Sequence, residues 1–240
     1  MIFYKIKNLL ESFKHKHTCS EVIQQHQELR LDIIIAGSLY KMSDSIKAAQ
    51  SLTLRGELNN KDLEAIRNLN KLDILNLCRI KKVKQIITNS LPQASIEGMK
   101  RLRVLVLPEL ITTDALAVIS CRSLKEVIIP QKLEILNSGI VYDCRNFNRY
   151  VIEEGNMNFS ESDGVLLSKD GTKLLSVPCG IKGTYHIPDS VTEIVGGAFL
   201  GCTQLNRVLS DKAHLKVANN AFYGCRCSPD IGRDVGIQPF

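Results

Sequence analysis

The sequence predicts an α/β solenoid, in which short repeats stack so that their strands form a parallel β-sheet on one face. Short helical or irregular connections would link the strands, and a helical segment would precede the first repeat. Two recurring patterns and the composition support this prediction. Of the 240 residues, 44% are hydrophobic but only 5% are aromatic, with no Trp, so Leu, Ile and Val must fill the core.

The first pattern is L-x-x-L-x-L, which marks a short strand whose alternate side chains face inwards. Its clearest copies are Leu102, Leu105, Leu107 and Leu124, Val127, Ile129. Weaker copies are Leu31, Ile34, Ala36; Ala49, Leu52, Leu54; Leu72, Leu75, Leu77; Phe147, Tyr150, Ile152; and Leu205, Val208, Ser210. The middle positions Leu52, Leu75, Leu105, Val127 and Tyr150 are separated by 23, 30, 22 and 23 residues. This pattern and interval are typical of a leucine-rich repeat.

The second pattern follows the strand and is clearest from Pro188 to Cys202. The segment from Asp211 to Cys225 repeats it without a gap, and the segment from Pro130 to Cys144 matches it more loosely. Together these residues give I-P-D-S-V-T-E-I-x-x-x-A-F-x-G-C-x-x-L, which resembles the BspA-type leucine-rich repeat of bacterial and protist surface proteins. The resemblance is close over residues 121–225. It implies a cell-surface adhesion protein that binds host or matrix proteins, or other cells.

A hairpin is predicted within the array, because two apolar runs, Val165 to Leu167 and Leu174 to Val177, flank the turn residues Lys169-Asp170-Gly171. Residues 156–178 also resemble the longer variant of the same repeat. The predicted organisation is an N-terminal helical cap (1–30), repeats (31–152), a repeat with the inserted hairpin (153–182), BspA-like repeats (183–228) and a tail (229–240).

The N-terminal segment has Ile6, Leu9, Leu10 and Phe13 at helical spacing, which predicts an amphipathic helix over about residues 3–17. It would cover the open end of the solenoid, although a partner-binding helix would have the same pattern. The segment lacks the apolar run of a secretion signal, and no stretch is long enough to span a membrane. The cellular location is therefore left open between the surface and the cytoplasm.

Four cysteines, Cys121, Cys144, Cys202 and Cys225, occupy one phase of the repeat. One phase points the same way in every turn, so we expect buried, reduced thiols that act as small hydrophobic side chains. Leu69 and Met99 hold the same phase, which favours packing over metal ligation.

No pattern supports a cofactor, a metal or an enzyme. Cys225-Arg-Cys227 lacks the second pair of a zinc site, and His15 and Cys19 would share a helix face while His17 points away. The sequence also lacks a nucleophile elbow and a phosphate-binding glycine motif. We therefore expect a protein that is not an enzyme.

The candidate site is the outward side of the strands, where repetition turns each position into a column. One column reads Thr53, Asn76, Val106, Ile128, Val151, His186, Leu209, and its apolar centre predicts an exposed contact patch. The alternatives are that Val and Ile only reflect strand propensity, or that the hairpin or the cap covers the patch. The candidate partner-binding residues are Val104, Val106, Ile128 and Val151, with Arg103, Lys125 and Arg149 as a basic rim.

The net charge of +6 tolerates an acidic partner without requiring one. The densest basic run, Arg79, Lys81, Lys82 and Lys84, has no interleaved aromatic residue, which disfavours nucleic-acid binding. The expected partner is a protein or glycoprotein, and self-association stays open. The alternative function is an intracellular scaffold or assembly subunit whose sheet is permanently occupied.

Overall fold

The computed structural model describes residues 28–33, 35–84, 90–109, 112–113, 116–136, 139–212 and 214–231. The predicted N-terminal helix lies outside these residues. The described helices are α1 (Ser38–Lys41), α2 (Ser43–Ile46) and α3 (Asn60–Arg67). The strands are β1 (Glu28–Ile33), β2 (Ser51–Asn59), β3 (Ile74–Lys84), β4 (Ser90–Leu91), β5 (Ile96–Glu97), β6 (Val104–Val106), β7 (Thr112–Thr113), β8 (Val118–Ile119), β9 (Glu126–Ile129), β10 (Val141–Tyr142), β11 (Arg149–Ile152), β12 (Phe159–Ser162), β13 (Val165–Ser168), β14 (Lys173–Ser176), β15 (Gly183–His186), β16 (Glu193–Ile194), β17 (Leu205–Ser210), β18 (Lys216–Val217) and β19 (Ser228–Ile231).

The predicted solenoid is confirmed by a parallel sheet of six strands in the order β1-β2-β3-β6-β9-β11, called the first sheet below. The middle positions of the strand pattern pair directly: Leu52 with Leu75, Leu75 with Leu105, Leu105 with Val127, and Val127 with Tyr150. All five side chains are at most 1% exposed. The repeat interval therefore sets the strand register.

The register predicted for the first copy is wrong. Ile34 was expected at the middle inward position, but Leu29 pairs with Leu52 and Leu31 pairs with Leu54. Leu29 precedes Leu52 by 23 residues, which is the interval of the clear repeats, whereas Ile34 precedes it by only 18. Ile34 itself lies outside the described residues. Because residues 33–35 are all isoleucine, the strand pattern can be placed in more than one register there, and the sequence pattern alone selects the wrong one.

The predicted hairpin is confirmed by the antiparallel pairing of β13 with β14. A strand that the sequence did not indicate, β12, adds a third member by pairing antiparallel with β13. In the turn, Asp170 accepts hydrogen bonds from the Ser168 hydroxyl and from the amide and hydroxyl of Thr172. These donors lower the pKa of Asp170 to about 2, because they stabilise the carboxylate form.

The stack continues beyond the hairpin as a second parallel sheet, β15-β17-β19. On another side of the solenoid, β16 and β18 extend the hairpin sheet, since β14 pairs parallel with β16. One hydrophobic core runs through both halves, from Leu39 near the first turn to Ala221 near the last. The described residues thus form one stacked array.

A column of left-handed backbone conformations marks one turn of each repeat. It consists of Gly98, Ser120, Asp143, Gly201 and Gly224, with φ between 51° and 69°. Each lies one residue before Met99 or a cysteine of the shared phase. Where the residue is not glycine, the side chains support one another, since the Ser120 hydroxyl donates to Asp143 Oδ2 at 2.9 Å.

Gly56 must be glycine for a steric reason as well: a Cβ at this position would lie 2.2 Å from the carbonyl oxygen of Ile33 in β1. We expect Gly56→Ala to lower the free energy of unfolding by about 2 to 3 kcal/mol, combining backbone strain with displacement of the edge strand. Gly98→Ala is the matched control, since its φ of +65° is also left-handed but no atom lies within 4 Å of its Cβ position. Its cost should be about 1 kcal/mol. Equal losses in urea unfolding would show that the close approach to β1 is unimportant.

Candidate functional site

The candidate outward column forms with the predicted register. Thr53, Asn76, Val106, Ile128 and Val151 lie side by side across β2, β3, β6, β9 and β11. The expectation that its centre is exposed is wrong: Val106 is 0% exposed and Ile128 is 2% exposed. Val104 precedes Val106 by two residues in β6 and therefore faces the same side of the sheet; it is 4% exposed. Only Val151, on the last strand, is half-buried.

These side chains form a hydrophobic cluster separate from the repeat core, called the outer cluster below. Its buried members are Ile74, Val104, Val106 and Ile128, with Cys78 and Val151 packed against them. All six come from strands of the first sheet, on the side opposite to the inward leucines. The centre of the first sheet is therefore excluded from water on both faces, whereas sequence alternation accounts for only one; on the edge strand β1 the outward residue Arg30 is exposed.

The basic rim differs from the prediction. Arg103 and Lys125 do lie at one phase, because the Lys125 amide donates to the Arg103 carbonyl at 2.8 Å. The next residue at that phase is Asn148, whose amide donates to the Lys125 carbonyl at 3.0 Å, and not Arg149.

Arg149 instead neutralises a buried acid on the outer face. Its Nε donates to Glu126 Oε1 at 2.9 Å, and the Glu126 residue is 2% exposed. Burial raises the pKa of Glu126, although the Arg149 guanidinium opposes that shift. The other carboxylate oxygen, Oε2, is buried without a hydrogen-bond partner. The outer face thus contains a buried acid that is only partly hydrogen-bonded, beside its apolar centre.

The far end of the outer face carries mixed charge. There the strand ends form a groove lined by Asp32, Arg55, Arg79, Glu109 and Glu153. Within the groove Arg55 forms an ion pair of the surface type with Asp32 at 3.9 Å, and Glu109 at its wall forms one with Lys132 at 3.8 Å. The border of the outer cluster therefore carries both acidic and basic side chains and is not purely basic.

In the second sheet the same column has a different character. His186 and Leu209 pair in register as predicted, but His186 is exposed and Leu209 is half-buried. The neighbouring outward residues Thr184 and Arg207 are also exposed. The column therefore has a buried apolar centre over the first sheet and is more exposed over the second.

The cysteine column is buried as predicted, since Cys121, Cys144 and Cys202 are all 0% exposed and none is in a disulfide. The expectation for Cys225 is wrong, because it is half-buried and disulfide-bonded to Cys227. The predicted packing role of the shared phase is confirmed at Leu69 and Met99, which are 2% and 3% exposed.

Sequence reasoning missed a member of this column, Cys179, which is 2% exposed. Its thiol donates to the Cys144 carbonyl at 3.1 Å, and the Cys202 thiol lies 3.6 Å from the Val177 carbonyl. Cys179 thus fills the level between Cys144 and Cys202 that the hairpin insertion separates in sequence. The spacing of 23 from Cys179 to Cys202 is the signal that could have found it.

Burial should make these thiols unreactive. It raises the pKa of Cys179 to about 11 and raises that of Cys202, because the thiolate is desolvated. At pH 9 a thiol of that pKa is only about 1% thiolate. We expect iodoacetamide to leave Cys144, Cys179 and Cys202 unmodified in the folded protein and to modify them after denaturation, as read by peptide mass spectrometry. Rapid native labelling of Cys202 would contradict a packing role.

The described residues contain no group of three or more His, Cys, Asp or Glu side chains placed to hold a metal ion. The candidates His15, His17 and Cys19 lie outside them. In the same described part of the chain, no helix has the length and apolar character needed to cross a membrane.

The comparisons with known proteins concern the repeats. The model of the BspA type leucine rich repeat region matches six copies over residues 75–162 and 179–231, more than half of the chain. No curated protein sequence matches the chain. Among solved structures, the pneumococcal vaccine antigen PcpA is similar, with a TM-score of 0.50 and 17% identity over 76% of this chain and 50% of that one.

Two further similar structures are a leucine-rich repeat protein from Eubacterium ventriosum and a leucine rich cell surface protein from Faecalibacterium prausnitzii. The first has a TM-score of 0.44 and 16% identity, and the match covers 80% of this chain and 63% of that one. The second has a TM-score of 0.41 and 15% identity, and the match covers 78% of this chain and 62% of that one. The chain thus spans between half and two thirds of the length of these structures.

Proposed function

Since this chain belongs to the BspA-type leucine-rich-repeat family, we propose that it is a non-enzymatic module that binds a protein or glycoprotein through the outer face of its first sheet. The proposed contact residues are Val104, Val106, Ile128 and Val151, with Arg103 and Lys125 at one border. The resemblance to BspA-type surface proteins supports a role in adhesion. The partner would offer an apolar segment flanked by acidic groups.

The observation that carries this proposal is the outer cluster itself. The inward core already stabilises the repeats, so a second apolar cluster on the opposite face is not needed to close the turns. Its half-buried edge, at Cys78 and Val151, leaves apolar area that would release water on burial against another surface.

The second candidate is the scaffold whose sheet is permanently occupied. Val106 and Ile128 are buried within the chain alone, so their burial does not distinguish the two candidates. The two candidates differ in when the face is available: an adhesin must uncover it for a partner, whereas a scaffold keeps it covered after assembly.

The test compares two surface variants in quantitative affinity capture. Val151→Lys places a charge on the half-buried edge of the outer cluster, and Thr192→Lys places one at an exposed position away from the first sheet. We expect a specific partner to be retained by wild type and Thr192→Lys but to be lost by at least tenfold with Val151→Lys, at unchanged thermal midpoints. If no captured protein distinguishes the variants, the outer face is not the binding surface.

A further inference from the structure

Six cations lie together at the corner where the chain enters the first sheet. The segments 100–103, 122–125 and 145–148, called the basic corner below, directly precede the neighbouring strands β6, β9 and β11. They contain no acidic residue, and their cations are Lys100, Arg101, Arg103, Arg122, Lys125 and Arg145. Without these six, the 31 basic residues of the chain fall to 25, which balance the 25 acidic ones. The basic corner therefore holds the whole net charge of the chain.

The basic corner is limited to three levels of the stack. The matching residues before β3, 70–73, contain one cation and one acid, and the matching residues after Cys202, 203–206, carry no charge. The mixed-charge groove lies at the other end of these strands. Three levels span about 10 Å, since two strand intervals separate them. The positive charge is thus a local feature and not a general property of the repeat.

The central charges of the basic corner are not neutralised within the described part of the chain. Four cations form no ion pair with an acid there: Lys100, Arg103, Arg122 and Lys125. Lys100 and Arg122 are exposed, and the other two are half-buried. The cations at the ends, Arg101 and Arg145, pair with acids at 3.3 and 3.4 Å but keep 54% and 67% of their side chains exposed. An anion can therefore reach a cation on each of the three levels.

Hydrogen bonds between levels fix the backbone that carries these cations. The Ser123 hydroxyl donates to the Lys100 carbonyl at 2.6 Å, and the Asn146 amide donates to the Arg122 carbonyl at 2.6 Å. Both bonds use backbone carbonyls, so the charged ends of the cations take no part in them. A ligand that crosses successive levels therefore meets cations on backbone positions about 4.8 Å apart, and it does not have to order that backbone on binding.

We propose that the basic corner binds a linear acidic polysaccharide, whose sulfate or carboxylate groups contact cations on successive levels of the stack. A polymer laid across the strands meets all three levels, whereas a small anion meets only one. Guanidinium groups bind oxyanions through paired N–H donors. Clusters of Lys and Arg are typical of surfaces that bind polyanions such as heparin.

The side chains between the cations disfavour two other classes of partner. Every residue of the basic corner is described, and its apolar residues Leu102, Leu124 and Phe147 are all 0% exposed. The corner therefore lacks the apolar centre of a typical protein interface, and its one aromatic ring is not accessible for the base stacking that single-stranded nucleic acids use. The remaining side chains are polar and suit the hydroxyl groups of sugars: Ser123, Asn146 and Asn148.

This site adds a second class of ligand and does not depend on the proposed function. Arg103 and Lys125 border both surfaces, but Lys100 and Arg122 are not among the residues proposed to contact a protein partner. Substitutions at Lys100 and Arg122 therefore test the polysaccharide site, and the Val151→Lys capture tests the outer face. Either proposal can fail while the other holds.

Two double variants that remove the same charge test the polysaccharide site. Lys100→Gln with Arg122→Gln removes two exposed cations of the basic corner, and Lys81→Gln with Lys82→Gln removes two exposed cations of β3. The full chain is titrated with a heparin oligosaccharide of uniform length by calorimetry at about 0.15 M ionic strength. We expect the corner variant to bind at least tenfold more weakly than wild type and the β3 variant to stay within about twofold, at unchanged thermal midpoints.

The dependence of affinity on salt gives a second measurement. Each cation that contacts a polyanion releases roughly one condensed counterion. The slope of log affinity against log salt should therefore be shallower by roughly two in the corner variant and unchanged in the β3 variant. Oligogalacturonate, which carries carboxylates alone, tells which group is bound: affinity equal to that of heparin assigns the contact to carboxylates, and weaker binding assigns it to sulfates. Both results support the proposal.

Three results would overturn the proposal. Equal losses in the two double variants would show that net charge alone accounts for binding. No binding of heparin oligosaccharide or oligogalacturonate by wild type would show that the basic corner takes no acidic polysaccharide. Tighter binding of an oligothymidylate with the same number of charges would assign the basic corner to nucleic acid.

Discussion

Ile128→Lys should lower the free energy of unfolding by more than about 3 kcal/mol, since it buries a charge without a partner at a position that is 2% exposed. For a chain of this size the thermal midpoint should fall by roughly 6 to 12 °C, measured by circular dichroism. The result would show that the outer cluster contributes to stability in the free chain.

His186→Lys is the matched control, because His186 holds the same outward phase in the second sheet but is exposed. It should change the free energy of unfolding by no more than about 0.5 kcal/mol. If Ile128→Lys were equally mild, the outer cluster would be accessible to solvent.

Phe199→Ala is the second substitution with a large expected effect. Phe199 is 0% exposed, and its ring stacks on that of Phe222 with centroids 4.6 Å apart. Truncation removes contacts on both sides of one repeat level, which should cost about 3 to 5 kcal/mol in urea unfolding.

Two neighbouring aromatic residues calibrate this value. Phe222 occupies the next level but is half-buried, so Phe222→Ala should cost less than Phe199→Ala. Tyr223 is 62% exposed, and Tyr223→Ala should cost no more than about 0.5 kcal/mol. A larger loss at Phe222 than at Phe199 would contradict a stack that weakens towards its C-terminal end.

Most of the first sheet could be predicted from the sequence, because the repeat interval alone determines which residues are neighbours. Leu105 is beside Val127 and Val106 is beside Ile128 for the same reason. The hairpin was also predictable, since Asp170-Gly171 gives a specific local turn signal. The first copy was not, because its consecutive isoleucines satisfy more than one phase.

The burial of the candidate site residues could not be predicted from the repeat interval. Alternation within a strand indicates which side chains share a face, but it does not indicate whether that face is open to solvent or buried. Val106 and Ile128 therefore have the correct register and the wrong expected exposure. Glu126 and Arg149 have the same origin, since their ion pair forms between adjacent strands and cannot be seen in either strand alone.

The three-stranded insertion has a consequence for folding cooperativity. It divides the parallel hydrogen bonding into the first and second sheets. The insertion contacts the first sheet through the Tyr150 amide, which donates to the Gly164 carbonyl at 2.8 Å, and through the Tyr150 and Ser176 hydroxyls, which are 2.8 Å apart. The Gly180 amide, which precedes the second sheet, donates to the Phe147 carbonyl at 2.8 Å. In a linear array each unit is stabilised by its neighbours, so the weakest junction sets where the transition divides. Denaturation should therefore propagate from the C-terminal block and pause at Tyr150, leaving the first sheet as the last unit to lose its structure.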